Sequence, residues 1–105
     1  MRSGLSQDEL RRLRNEVEIA GLVVRLELPH KWREGRLRFL CPLCSEYHTA
    51  TNPRTNLARC FRCQRNFNPI DLVMLVERVP FLEAVATLRE LLSAGGPGRP
   101  GHQIA

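Results

Sequence analysis

Cys41-Pro-Leu-Cys44 and Cys60-Phe-Arg-Cys63 hold all four cysteines of the chain. Their C-x2-C-x15-C-x2-C spacing constrains the fold more than any other feature. Two residues between cysteines let a tight turn, a knuckle, aim both sulfurs at one ion. Two knuckles supply the four thiolates that tetrahedral Zn²⁺ prefers. An iron tetrathiolate or two disulfides are the alternatives. Arginines crowd the second knuckle at Arg59, Arg62 and Arg65, which favours zinc over a rubredoxin-like redox centre. A chain of 105 residues buries a modest share of its surface as one small domain, and a structural metal is a common supplement at that size.

The start of the chain has no apolar stretch, and the run Leu72 to Val76 is far too short to cross a bilayer. A cytoplasmic location is expected, with no membrane partner. Thiols there stay reduced, which again favours a metal over disulfides.

Charge is concentrated around the cysteines. Residues 31 to 65 carry eight basic side chains against Glu34 and Glu46, a net +6, while the remainder of the chain sums to −1. Four thiolates on one Zn²⁺ leave about −2, so some of this arginine neutralises the cluster. The excess exceeds that need, and Trp32, Phe39, Phe61 and Phe67 lie among the charges. Arginine contacts phosphate, and aromatic faces stack unpaired bases. Phe39 and Phe61 adjoin the knuckles and are expected in the core. Trp32, beside Lys31 and Arg33 in a polar stretch, is the better exposed candidate.

The pattern predicts a small α+β fold: a zinc ribbon whose antiparallel sheet of about four to five strands is flanked by an N-terminal helix and two C-terminal helices. Ser6-Gln7-Asp8-Glu9 has capping-box spacing and opens a helix with Leu10, Leu13 and Val17 on one face. Gly21 is expected to end it, giving an N-terminal helical segment over 1–22. Val23 to Leu28 reads as a strand, Pro29 to Gly35 as a turn, and Arg36 to Leu40 as the returning strand. His48 to Asn52 and Leu57 to Phe61 form a further hairpin about Pro53-Arg54-Thr55-Asn56. Asn68, with Pro69 and Asp71, caps one helix, and Pro80 begins another. The ribbon with its C-terminal helices spans 23–92, and the Gly/Pro-rich residues 93–105 read as a flexible tail.

Several segments together resemble the zinc-binding domain of bacterial DnaG-type DNA primases, the Cys-His-Cys-Cys zinc finger family. They are Val23-Val24-Arg25-Leu26, Gly35-Arg36-Leu37-Arg38-Phe39-Leu40-Cys41-Pro42, Thr49-Ala50-Thr51-Asn52-Pro53 and Cys60-Phe61-Arg62-Cys63. Asn68-Pro69-Ile70-Asp71-Leu72-Val73 and Pro80-Phe81-Leu82-Glu83-Ala84-Val85 complete the set. The resemblance spans about Glu18 to Leu92. It departs at Cys44, where the family has His, and at Gln64-Arg65-Asn66-Phe67, where the family has several glycines. Asn66 is expected to take a left-handed turn there. Both departures point to a divergent, tetracysteine branch.

The resemblance implies a module that binds single-stranded DNA template, as an accessory to a replication or mobile-element protein. It carries DNA contact over to Arg36 and Arg38 on the strand entering the first knuckle, and to Arg54 and Arg59 on the hairpin between the knuckles. The charge reading adds Trp32, Arg33 and Arg62. The metal ligands are Cys41, Cys44, Cys60 and Cys63, holding one structural Zn²⁺. Catalysis is not expected: Asp8 and Asp71 are the sole aspartates, each suited to a helix N-terminus, with no Asp-x-Asp or phosphate loop. His48, four residues past Cys44, is a weak competing ligand. The other reading is a protein-interaction zinc ribbon docking a primase catalytic domain, polymerase, helicase or transposase. It would expose an apolar patch at Leu91 and Leu92, which cannot easily be buried together.

Overall fold

The computed structural model describes residues 6–93. The tail expected from 93 onward lies outside the described residues, apart from Ser93, which closes a helix. Four helices and five strands follow in the order α1 (Gln7–Glu16), α2 (Ile19–Arg25), β1 (His30–Arg33), β2 (Arg36–Phe39), β3 (Thr49–Asn52), β4 (Leu57–Cys60), β5 (Arg65–Phe67), α3 (Pro69–Glu77) and α4 (Phe81–Ser93). The strands form one antiparallel sheet in sequence order, as expected of a small α+β ribbon.

Strand alternation divides the sheet into two faces. Leu37, Phe39, Ala58 and Phe67 point to one side and are fully buried with Leu13, Ile19, Leu22, Leu72 and Leu88 of the helices. Burying Phe39 and Phe67 contributes about 1.5–3 kcal/mol each. The other side carries Arg38, Ala50, Arg59 and Asn66, none of them buried.

The local signals at several helix ends act as the sequence suggested. Ser6 accepts the Glu9 N–H at 3.0 Å to start α1. Asn68 and Asp71 exchange side-chain to backbone bonds at 2.8 and 2.9 Å, a complete capping box, with Pro69 in the first turn of α3. Arg78 ends that helix at φ 58°.

The region before the first knuckle differs from the reading of the sequence. Val23 to Leu28 is not a strand, because Ile19, Leu22 and Val23 bury one helical face while Val24 is 47% exposed. The apparent alternation of Val24, Leu26 and Leu28 comes from the far side and exit of that helix. Gly21 lies inside α2; the N-terminal segment instead breaks at Val17 and Glu18. The stretch from Pro29 to Gly35, expected as a turn, holds β1, followed by a two-residue hairpin at Glu34 and Gly35 with φ 53° and 78°. Paired positive φ values of this kind match the twist of the flanking strands. All four β1 residues are exposed, so no buried alternation marks them as a strand. The left-handed residue after the second knuckle is Gln64 at φ 58°, not Asn66, which lies in β5.

Glu9 and Arg89 clamp α1 to α4 through two bonds of 2.5 and 2.8 Å. The Arg89 guanidinium holds the Glu9 carboxyl below its usual value of 4.5, against a smaller opposing effect of burial. A lowered folded pKa gives stability that is fully present above 4.5 and lost as pH falls through the folded value. Thermal melts should therefore show wild type above Glu9→Gln at pH 6, the gap closing below pH 4.5. A gap that stays constant as pH falls from 6 to well below 4.5 would show that the ion pair is not its source.

Candidate metal centre and basic sheet face

The two knuckles are built alike. In the first, the Ser45 N–H bonds Cys41 O at 2.9 Å and the Leu43 N–H points at Cys41 Sγ at 3.3 Å. In the second, the Gln64 N–H bonds Cys60 O at 2.7 Å and the Cys63 N–H points at Cys60 Sγ at 3.3 Å. Ser45 and Gln64, each directly after a knuckle, turn the chain at φ 60° and 58°. The Phe61 N–H bonds His48 O at 3.0 Å and ties one knuckle to the strand leaving the other.

All four Sγ atoms lie within 4.8 Å of one another, with Cys41–Cys63 at 3.9 Å and Cys44–Cys60 at 3.7 Å. A tetrahedron with metal–sulfur arms of about 2.3 Å has edges of about 3.8 Å, so the two shortest edges match a single tetrahedral ion and the set is compact enough to hold one. The cysteines are free thiols rather than disulfides. His48 is exposed and stands outside the cluster.

Electrostatics of the four sulfurs are uneven. Burial pushes the Cys60 thiol up, but the N–H groups of Cys63 and Arg62, the neighbouring Thr49 hydroxyl and the Cys44 thiol bring it down to about 6. Thr49 Oγ1 is buried and makes no hydrogen bond of ordinary geometry, so its effect on Cys60 is one of proximity. Burial and the neighbouring sulfurs push Cys63 up to about 12. Cys60 thus offers a ready thiolate, while Cys44 and Cys63, both pushed up chiefly by burial, need the cation itself to hold them deprotonated.

Register gathers most of the candidate nucleic-acid residues. Lys31 faces Arg38, Arg38 faces Ala50, Ala50 faces Arg59 and Arg59 faces Asn66, one row across all five strands on the open face. Arg33 faces Arg36 one step along. Lys31 Nζ sits 4.6 Å from the Tyr47 ring centroid, and Arg59 Nη1 donates to Asn66 Oδ1 at 3.3 Å. Among the described residues, the ion pairs all lie on α1 and α4, and no carboxylate pairs with a basic residue of the sheet. No carboxylate ion pair among the described residues therefore offsets the positive charge of this face. Arg54 is exposed in the β3–β4 turn and Arg62 in the second knuckle, both outside the row.

Two aromatic expectations change. Phe61 is 59% exposed rather than in the core, and it borders a hollow of about 280 Å³ with Arg36, Asn52, Arg59 and Asn66. Trp32 is exposed as expected, yet it faces Leu37 across the β1–β2 pair and so belongs to the opposite side from the basic row. Nothing in the sequence marks Tyr47, Asn52 and Asn66 as neighbours of the arginines; register places Asn52 and Asn66 there, and the Lys31 contact places Tyr47. The patch expected at Leu91 and Leu92 does not form, because Leu91 is buried and Leu92 packs against the core. The apolar exposure of α4 lies at its start, on Phe81 and Leu82. No described helix is long and apolar enough to cross a membrane.

No protein-family model matches the chain, and no curated protein matches it in sequence.

Proposed function

We propose that the chain is a zinc-dependent nucleic-acid-binding module of DNA primase type, binding single-stranded DNA template as an accessory to a replication or mobile-element protein. The observation that carries this reading is the row Lys31, Arg38 and Arg59 on the open sheet face, free of carboxylate ion pairs among the described residues, with Arg33 and Arg36 beside it. Zinc supplies no chemistry in this role beyond fixing geometry. Cys41 follows β2 by two residues and Cys60 ends β4, so the ion sets how the arginine-bearing strands present their side chains. Arginines hold phosphates, and the exposed rings of Tyr47 and Phe61 at the margins offer faces to bases. Four thiolates close the coordination sphere, leaving no open position of the kind a catalytic zinc keeps. The proposed role is binding, with chemistry left to a separate catalytic domain.

Anisotropy titrations of labelled single-stranded and duplex oligonucleotides test this. If four to five phosphates are neutralised, log K should fall against log salt with a slope of about −3, roughly 60-fold between 50 and 200 mM. Changing Arg38 and Arg59 together to Ala should weaken binding roughly uniformly across sequences and flatten that slope by about 1–2. No binding of either DNA at low salt would sink the reading. Duplex bound as tightly as single strand would remove its single-strand part.

A further inference from the structure

Trp32 lines a second hollow, on the reverse of the basic row. Its volume is about 240 Å³, and its walls include Ile19, Ala20, Trp32, Leu37 and Pro53. That is below the roughly 300 Å³ at which pockets for drug-sized ligands begin, and it suits one flat ring system. Its surface is mostly apolar, with Glu18 and Arg36 as the charged members of the lining. Trp32 is 61% exposed, an unusual cost for a large ring that could be covered.

The position of this hollow says what fills it. Arg36 and Thr51 border both it and the hollow on the basic face that holds Arg59 and Phe61. The two lie back to back at the end of the sheet where the β1–β2 turn and the β3–β4 turn sit side by side. Arg33 and Arg36 form the last cross-strand pair of that hairpin. A phosphate held there leaves its own nucleoside at the sheet's end, beside the mouth of the Trp32 hollow. The β1 strand is the sheet's edge, so nothing paired to it blocks the turn.

We propose that the Trp32 hollow receives one unpaired nucleobase of the bound strand, stacked on the indole, while the flanking phosphates stay on Arg33 and Arg36. This rests on the single-strand-binding reading above and adds a base pocket on the face that the arginine row does not occupy. A duplex cannot present a base there without unpairing it. The pocket therefore supplies a physical reason for preferring single strands, which a row of arginines alone does not.

Trp32 is the chain's one tryptophan, so its fluorescence reports on this pocket alone. The test follows two signals in one titration: anisotropy of a labelled oligonucleotide for total binding, and Trp32 emission for base insertion. An abasic strand of equal length serves as the second ligand. The expected result is saturable quenching of Trp32 by the base-bearing strand, and binding of the abasic strand about 10-fold weaker without quenching. Ala20→Leu, which fills the hollow from α2 and leaves the arginine row untouched, should reduce base-bearing affinity to the abasic level. Far-UV circular dichroism checks that this variant stays folded, and Trp32→Ala, at an exposed site, repeats the affinity test. DNA binding with unchanged Trp32 emission overturns the pocket while leaving the arginine face in place, and frees the hollow for a protein side chain. Absence of any DNA binding overturns both.

Discussion

Removing metal from the four-cysteine centre with a strong chelator at neutral pH should abolish the chain's cooperative thermal transition. Cys41, two residues past β2, and Cys60, the last residue of β4, are both fully buried, so the centre joins the sheet to its two knuckles. Structural zinc in small domains contributes about 10–16 kcal/mol of binding free energy at neutral pH. A whole domain is stable by only about 5–15 kcal/mol. Loss of the ion therefore removes an amount as large as the total. It also leaves four sulfurs within 4.8 Å with nothing to hold their charge. Cys60→Ser should have nearly the same effect, replacing a fully buried thiol that ionises readily by a hydroxyl that stays protonated. Melting followed by circular dichroism, with released metal counted colorimetrically, checks the expectation of one zinc per chain. A colourless protein excludes the iron alternative. An apo form with an unchanged, sharp transition would show that the cluster is not a structural metal site.

The parts of the fold that were legible in the sequence are those whose signal is local. Paired cysteines fix their own turn, and Asn68-Pro69-Ile70-Asp71 writes both halves of a capping box into four residues. The β3–β4 hairpin has its turn residues between two short runs. What was not legible depends on partners far along the chain. The α2 segment resembles a strand until Leu13 and the sheet bury Ile19, Leu22 and Val23 together. An edge strand with four exposed residues carries no alternation to detect.

The same limit applies to the candidate site. The cluster of four cysteines that the structure gathers within 4.8 Å was already legible from spacing, since each knuckle is set by its neighbours. The arginine face was half visible: composition located the charge, but which side chains share a face is decided by register. One residue along a strand moves a side chain to the other side. Trp32 reads as a companion of Lys31 and Arg33, and the pleat alone sends it to the opposite face. Phe61 reads as core because it adjoins a ligand, yet the knuckle turns it outward to 59% exposure. Local chemistry shows what a residue can do, and pairing decides whom it does it with.

Asn56→Ala should be the most damaging substitution away from the metal. In sequence it is one more turn residue after Pro53-Arg54-Thr55; in the fold it is 1% exposed and fully engaged. Its Oδ1 accepts the Ile19 N–H at 2.9 Å, and its Nδ2 donates to Arg14 O at 2.8 Å and Val17 O at 2.7 Å. These are the free backbone groups where α1 stops and α2 begins. One side chain of the β3–β4 turn thus closes the break between two helices, using both donors and one acceptor. Its backbone is also left-handed at φ 57°, which Asn tolerates better than Ala. Truncation strands two carbonyls and an N–H, each costing about 1–3 kcal/mol when buried, so a loss of about 3–5 kcal/mol is expected. Asn56→Asp separates the parts of this account. It keeps the acceptor for Ile19 but turns a carboxylate toward two carbonyl oxygens, so it should be no milder than Ala at neutral pH. Asn56→Gly keeps the left-handed backbone and loses only the side-chain bonds, and should fall short of the Ala loss by about 1 kcal/mol. Urea denaturation of the metal-loaded variants measures all three. If the Asn56→Asp variant proves as stable as wild type, the two carbonyls are not held by Asn56, and the helix break must be closed in another way.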